Sequence, residues 1–334
     1  MTSSDDVEAF IHPELAKMHD PFLLPDMDMA AARLARAVAA GEPIRIYGDY
    51  DVDGITAVAV LMSVLRAANA NVDYYIPNRL VEGYGLNPDA VERAAADGIK
   101  LLITVDCGVS ACEEVALASS LGVDVIITDH HETGDMLPKC VAVVNPKRAD
   151  SKYPFQGLAG VGVAFKLAYA FWAKYARHAS DADPLRFLDI VTLGTVADVV
   201  PLIGENRIIV SHGLAAMAHT SNLGVQSLIN ISDLAGRQLK AGHIGFSIGP
   251  RVNAAGRLGD PSLGARLFLT ESADEATRLA ALLDEENRRR QDIELDILKQ
   301  AWEPVSRMNV NSTGRSCSAR HSGTVGSSAS LPRR

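Results

Sequence analysis

The sequence predicts an α/β protein, a parallel sheet flanked by helices, followed by a helical segment and a long connector helix. Three observations predict it. From Met29 to Val144, short apolar runs alternate with stretches of helical period. The runs are nearly continuous, as in Leu101–Val105 and Val123–Ile127, which suits strands buried on both faces. After Pro154 the pattern turns helical and closes with a charged helical stretch from Ala273 to Arg307.

Taken in order, residues 1–28 carry Pro13, Pro21 and Pro25 and read as a loosely ordered lead-in. Ala31–Ala40 reads as a helix stopped near Gly41 and Pro43, and Ile44–Tyr47 as a buried strand entering Gly48. Helix Ile55–Ala68, strand Val72–Ile76 and helix Pro88–Ala96, closed by Gly98, come after it. Next come strand Leu101–Val105, helix Glu113–Ser120, strand Val123–Ile127 and the short strand Val141–Val144. Helices are expected at Gly162–Tyr175, Pro184–Leu193, Glu205–Met217 and Gly224–Ile229, then a Gly-rich segment over Gly242–Gly259. The expected division is a lead-in (1–28), a catalytic domain (29–235), a substrate-binding segment with connector helix (236–311) and a disordered tail (312–334).

A length of 334 residues suffices for two ordinary domains. No apolar run is long enough to span a bilayer, and the acidic start Met-Thr-Ser-Ser-Asp-Asp has no signal-peptide core, so a cytoplasmic location is expected. Cys107, Cys112, Cys140 and Cys317 form no CxxC pair and read as reduced residues. A net charge of −9 argues against uniform polyanion binding. It does not exclude nucleic acid. Carboxylates of a cation site add negative charge that bound ions offset, and a binding groove needs only local positive charge.

The chemistry concentrates at strand ends. Asp49, Asp51 and Asp53 alternate directly after the first apolar run, and an extended backbone turns all three to one side. Crowded carboxylates repel unless cations lie between them. A calcium loop fits as far as Gly54 and then fails, because Val60 stands where the twelfth-position Glu is needed. Asp106 ends the next buried run, and Asp129-His130-His131 ends the one after. A single strand-end acid is usually a helix cap. Successive ends of a parallel sheet are neighbours, however, and its carboxyl edge is where such sheets bind ligands. Asp198 is embedded in the apolar stretch Gly194–Pro201. Carboxylates with one or two imidazoles suit Mn²⁺ or Mg²⁺ better than Zn²⁺, and a carboxylate bridging two such ions suits displacement at phosphorus. His212, His219 and His243 stand singly and read as structural or surface residues.

Asp49-x-Asp51-x-Asp53-Gly54, Asp106-x-Gly108, Asp129-His130-His131 and Asp198 together resemble the four signature motifs of the DHH phosphoesterase superfamily. Three segments resemble its single-strand-specific DNA exonuclease branch: Gly48–Thr56, Glu82-Gly-Tyr84-Gly85-Leu-Asn87 and Gly249–Leu258. The resemblance covers about Ile44 to Arg307. It implies a hydrolase acting on single-stranded DNA from the 5′ end in repair and recombination, with two Mn²⁺ or Mg²⁺ ions. It also implies a single-strand-binding protein and a helicase as partners. Asp51 and Asp53 would each bind one ion, Asp106 would bridge them, and His130 and Asp198 would ligate the second. Asp49 would assist or hold the attacking water. His131 would contact the scissile phosphate or the leaving oxygen, and Asp129 would orient the histidine pair. Tyr84, Gly85, Arg251, Asn253 and Arg257 would contact nucleic acid; the competing reading of the arginines is an ion pair with Asp260 or Glu271. The alternative enzyme is a short-oligonucleotide or cyclic-dinucleotide phosphodiesterase of the same superfamily. The alternative outside catalysis is an inactive truncated binding or scaffold protein.

From about Ser312 the chain is rich in Ser, Gly and Arg and lacks Asp and Glu. Read one base earlier, the codons of Gly323–Arg333 permit Trp-His-x-Gly-Val-Val-Gly-Ile-Val-Ala-Ser, a strand like that which opens the next domain in this branch. The expectation is an out-of-frame, disordered tail, a second domain that does not form, and a connector helix with an exposed apolar face.

Overall fold

The computed structural model describes residues 4–258 and 260–306, so the tail expectation lies outside the described residues. The elements are α1 (Ser4–Ile11), α2 (Met27–Ala40), β1 (Ile44–Gly48), α3 (Val52–Ala67), β2 (Val72–Tyr75), α4 (Arg79–Glu82) and α5 (Pro88–Ala96). Then come β3 (Leu101–Val105), α6 (Cys112–Ser120), β4 (Asp124–Thr128), β5 (Ala142–Val144), α7 (Gly160–Phe171), α8 (Leu188–Ala197), α9 (Gly204–Met217) and α10 (Leu223–Ile231). α11 (Ala241–His243) runs through a π-helical turn (Ile244–Ile248) into α12 (Gly249–Leu258), with α13 (Ser262–Leu269) and α14 (Ala273–Ser306) after it.

The five strands are parallel in the order β2-β1-β3-β4-β5. Strand side chains alternate between two cores. Ile44, Ile46, Leu101, Ile103, Val105 and Ile126 face α2, α3 and α7. Tyr47, Leu102, Val125, Ile127 and Val143 face α5 and α6. β3, β5 and all of β4 after Asp124 are therefore covered on both sides, which accounts for their continuous apolar runs, whereas the edge strand β2 is only half-buried and exposes Asp73. β1 neighbours both β2 and β3, so the chain winds away from it in two directions, leaving a crevice at the carboxyl ends of β1 and β3.

Two segments differ from the sequence expectation. The lead-in is anchored: Asp20 caps a 3-10 turn over Pro21–Leu23, Leu24 is buried, and the backbone N–H of His19 donates to Glu205 Oε1 at 2.9 Å. The Gly-rich segment is helical from Ala241 to Leu258. Two of its glycines serve close packing: a Cβ at Gly256 would collide with the Tyr50 carbonyl, and one at Gly249 would crowd the Ile244 carbonyl and lie against Ala197. On α14, Ala276, Leu279, Ala280 and Leu283 are buried, whereas Leu295, Leu298 and Trp302 form an exposed apolar row. Among the described residues no helix is long and apolar enough to cross a membrane.

One buried ion pair ties the anchored lead-in to the body. Lys166 Nζ lies 2.5 Å from Glu205 Oε1 and donates to the His19 carbonyl at 2.8 Å, while the Tyr153 hydroxyl donates to Glu205 Oε2. Burial pushes the Lys166 ammonium below its usual range, and only Glu205 opposes that strongly. Glu205→Ala leaves a buried cation unpaired, at a cost of about 3–5 kcal/mol. A thermal melt should fall by roughly 10 °C, and Lys166→Met added to Glu205→Gln should recover part of it. An unchanged melt for Glu205→Ala would show that the lysine finds water instead.

Candidate metal centre

Register builds the site. Gly48, Val105 and Thr128 are aligned across β1, β3 and β4, so the next residues, Asp49, Asp106 and Asp129, leave the sheet edge side by side. Neighbouring strands lie about 4.8 Å apart, so Asp49 and Asp106 come within reach of common ligands. Asp106 adopts φ +60°, an uncommon left-handed conformation for a residue with a Cβ, and Gly108 comes next but one at φ +107°. After this turn the Asp106 carboxylate lies against Gly160 at the start of α7.

Three overlapping groups of ligand atoms result, each within 4.8 Å: Asp49, Asp51 and Asp106; Asp53, His130 and Asp198; Asp106, His130 and His131. His130 Nε2 lies 3.1 Å from Asp106 Oδ1, 3.7 Å from Asp198 Oδ2 and 3.8 Å from Asp53 Oδ2. Ligands of one octahedral cation with bonds of about 2.1 Å stand about 3 Å apart, a similar spacing. Asp106 Oδ1, His130 Nε2 and Asp198 Oδ2 are buried with no hydrogen-bond partner. Such groups are costly unless something completes them, and a divalent cation would complete all three.

The surroundings fix these side chains. Asp51 is the N-cap of α3, accepting from the N–H groups of Asp53 and Gly54 at 2.9 and 3.1 Å. Asp53 accepts from Gly160 N–H at 2.6 Å and Val161 N–H at 2.8 Å, at the start of α7. A Cβ at Gly160 would strike Asp106 Oδ1, and one at Gly194 would strike Thr56 Oγ1 and crowd Asp53. The Gly160 and Val161 amides are absent from the sequence reading because backbone donors carry no residue signature. Gly194, four residues before Asp198 in the same stretch, carried no signal of its own in the sequence.

Burial, and after it neighbouring carboxylates, pushes Asp49, Asp53 and Asp198 each up to about 7 and Asp106 well above the carboxylate range. The histidines part company. Burial lowers His130, keeping it the neutral imidazole that a cation needs. His131 is raised by its hydrogen bond to Asp129, with Nδ1 2.7 Å from Oδ1. Asp129 also accepts from the N–H groups of His130, His131 and Val109, which orients the histidine pair.

Of the residues expected at nucleic acid, Tyr84 comes nearest. Gly83 and Gly85, both at φ +83°, flank it; its ring is 58 % exposed and its hydroxyl lies 3.4 Å from His131 Nε2. Glu82 holds this loop by accepting from Tyr75, Arg93 and the Asn78 N–H. The Gly85 carbonyl accepts from the Tyr47 hydroxyl. A cavity of about 290 Å³ joins Tyr84, Gly85, Gly108, Ser110 and His131. Arg79, not singled out in the sequence, lies over the Tyr50 ring at 4.7 Å beside the acids. Arg251 and Asn253, both half-buried, each have a protein partner. Arg251 donates to Asp284 at 2.9 Å and to the Ser247 carbonyl at 2.6 Å, so its ion-pair partner is neither Asp260 nor Glu271. Asn253 Oδ1 accepts from Val52 N–H at 3.0 Å and thereby docks α12 on the first acidic motif. The Arg257 side chain lies outside the described residues.

Residues 43–195 match the DHH family, N-terminal domain. The chain is 40 % identical over 311 residues to the single-stranded-DNA-specific exonuclease RecJ of Bacillus subtilis, covering 93 % of this chain and 38 % of that protein. It thus spans well under two thirds of that relative's length. Its fold is similar to a crystal structure of exonuclease RecJ bound to manganese, with TM-score 0.77, 38 % identity and coverage of 86 % of this chain and 71 % of that one. It is also similar to RecJ in complex with Mn²⁺ from Thermus thermophilus, with TM-score 0.75, 35 % identity and coverage of 88 % and 41 %. With more than two thirds of the manganese-bound exonuclease aligned at that identity, this chain belongs to the RecJ family of DHH proteins.

Proposed function

We propose that this chain is a Mn²⁺- or Mg²⁺-dependent phosphodiesterase that degrades single-stranded DNA from the 5′ end. The observation that carries the metal-dependent reading is the trio of buried, partnerless ligand atoms on Asp106, His130 and Asp198. Single-strand choice rests on the kinship with RecJ exonucleases, and 5′ polarity on the sequence resemblance to their branch. Residues 29–235 form the catalytic body in this reading, and 236–306 the substrate side.

Asp49, Asp51 and Asp106 would hold one cation, and Asp53, His130 and Asp198 the other; Asp106, 3.1 Å from His130 Nε2, would be within reach of both. When bound, the two ions supply a water ionised near neutral pH and neutralise charge on the phosphate. The protein's own groups do the rest. The α7 amides keep both Asp53 oxygens in place. His131, raised by its hydrogen bond to Asp129, groups with Asp106 and His130 and can donate a proton to the leaving oxygen. Tyr84 reaches the same edge of His131 and can contact the nucleotide there. Asp49, at the end of β1 beside Asp51 and Asp106, is within reach to orient the attacking water.

The test is degradation of a 5′-labelled single strand and of the matching duplex, in Mn²⁺ and in EDTA, beside a 3′-labelled strand to read polarity. Mononucleotides should appear at once from the 5′-labelled strand in Mn²⁺, with the duplex spared and EDTA abolishing the reaction. Equal cleavage of strand and duplex, or cleavage in EDTA, would overturn the reading.

A further inference from the structure

Two almost bare apolar side chains flank the acid cluster: Phe246 is 88 % exposed and Val199 is 85 % exposed. Single exposed apolar residues are ordinary, so exposure alone carries nothing. Their placement does.

Phe246 lies in the π-helical turn Ile244–Ile248, a geometry that is rare and often found at functional sites. The turn is pinned by buried Ile244 and Ile248. A Cβ at Gly245 would lie 4.0 Å from Val196, and one at Gly249 would lie 3.5 Å from the Ala197 Cβ. The turn therefore rests on the last turn of α8, which delivers Asp198. Seven residues beyond Phe246, about two helical turns, Asn253 docks on Val52, and Gly256 abuts Tyr50. The rod that carries Phe246 is thus fixed at one end to the segment bearing Asp198 and at the other to the segment bearing Asp49, Asp51 and Asp53.

Val199 stands directly after Asp198 at φ +63°, a strained conformation for a β-branched residue. Strain of this kind persists where the surroundings impose it, and it clusters at functional sites. Here it accompanies an isopropyl group standing in solvent beside a proposed ligand. Arg237 and Lys240, just before the π turn, are exposed and have no ion-pair partner among the described residues. Positive charge and exposed aromatic rings together are the combination that binds single strands without regard to sequence, and here they stand six to nine residues apart on one segment.

We propose that Phe246, with Val199 as a second apolar contact, is a stacking platform for a nucleobase of the single strand whose backbone enters the metal centre. The inference rests on the nuclease reading and deepens it. A base offers its π-face only when unpaired, so the platform adds to discrimination against duplex.

The experiment measures kcat and KM in Mn²⁺ for the full chain, Phe246→Ala and Phe246→Trp. The substrates are a 5′-labelled single strand and the same strand with abasic residues near its 5′ end. Phe246→Ala should raise KM on the normal strand about tenfold, within the range of one lost base–aromatic stack. Phe246→Trp should stay close to wild type. On the abasic strand the wild type should fall to the level of Phe246→Ala. Melting temperatures should be equal, since the ring buries nothing. Equal kinetics of wild type and Phe246→Ala on the normal strand overturn the platform and leave the nuclease reading standing. So does an equal loss on both strands, or a change in oligomeric state, which would assign the ring to a protein contact. A wild-type chain that degrades no single strand counts against both readings.

Discussion

Asp106→Asn is expected to lower metal-dependent hydrolysis on the order of a thousandfold or more, while leaving the metal-free fold intact. Each tenfold loss in rate is about 1.4 kcal/mol of transition-state stabilisation, and a ligand shared by two cations contributes to both. Asp106 groups with Asp49 and Asp51 and also, at 3.1 Å, with His130 Nε2, which itself groups with Asp53 and Asp198, so it is the carboxylate that links the two proposed cation sites. Among the described residues no other carboxylate belongs to more than one group. The fold should tolerate the change for two reasons. Without metal the Asp106 carboxylate is buried among Asp53, Asp51 and Asp49, which oppose its ionisation, so a neutral amide relieves repulsion. Asparagine also accepts the left-handed φ of +60° more readily than alanine does. Asp51→Ala makes the contrast: it removes a ligand and also the α3 cap, adding about 1 kcal/mol of instability. Specific activity in Mn²⁺, calorimetric titration of Mn²⁺ and a melt in EDTA read the three effects separately. Full activity in Asp106→Asn would sink the shared-ligand arrangement.

The sequence disclosed the sheet and the acidic cluster for one reason: parallel strands buried on both faces leave continuous apolar runs, and the residues just past each run share one edge of the sheet. Asp49, Asp106 and Asp129 could be placed together from that rule alone, and the register places them so. The features that stayed hidden depend on tertiary contact. The Gly242–Gly259 segment has poor helix propensity, yet its glycines allow close approach to α8 and Tyr50, and packing overrides propensity. Asn253 and Arg251 stand in a motif suggestive of phosphate, but their partners are Val52 and, 33 residues along the chain, Asp284. Spacing cannot disclose such partners. The lead-in misled through its prolines: Pro21 starts a capped 3-10 turn here and does not mark disorder.

In the same way the sequence shows two adjacent histidines and cannot tell them apart. The structure separates them by burial and by partner. His130 turns inward among Asp53, Asp106 and Asp198, whereas His131 has Asp129 on one ring nitrogen and Tyr84 near the other. One is suited to a cation and the other to an anion, as the proposed reaction on a metal-held phosphate requires.

Raising the pH from 6 to 8 should destabilise the EDTA-treated protein, and Mn²⁺ should reverse the trend. Asp49, Asp53 and Asp198 are raised from an ordinary value of 3.8 to about 7 in the folded chain, by burial first and by neighbouring carboxylates after it. Between those values the folded state binds more protons than the unfolded one, so stability falls as pH rises and the full penalty is present above about 7. The other groups do not change this sign. His131, raised by Asp129, contributes stability that is also lost on going alkaline. His130, lowered by burial, opposes it with one group. Asp129, held below the usual range, is ionised throughout this window. The carboxylates titrate as a coupled set, so their penalties do not add fully, and a fall of roughly 5–10 °C in melting temperature is the expected scale. Mn²⁺ competes with protons for the same oxygens, so its stabilisation should be small at pH 6 and large at pH 8. In Mn²⁺ the melting temperature should therefore hold or rise over the interval in which it falls in EDTA. Asp106→Asn should flatten both curves, because it removes the group most strongly pushed up and the ligand proposed to be shared by the two cations. A metal-free protein that grows more stable from pH 6 to 8, or a Mn²⁺ shift that ignores pH, would show that these acids are neither crowded nor ligands.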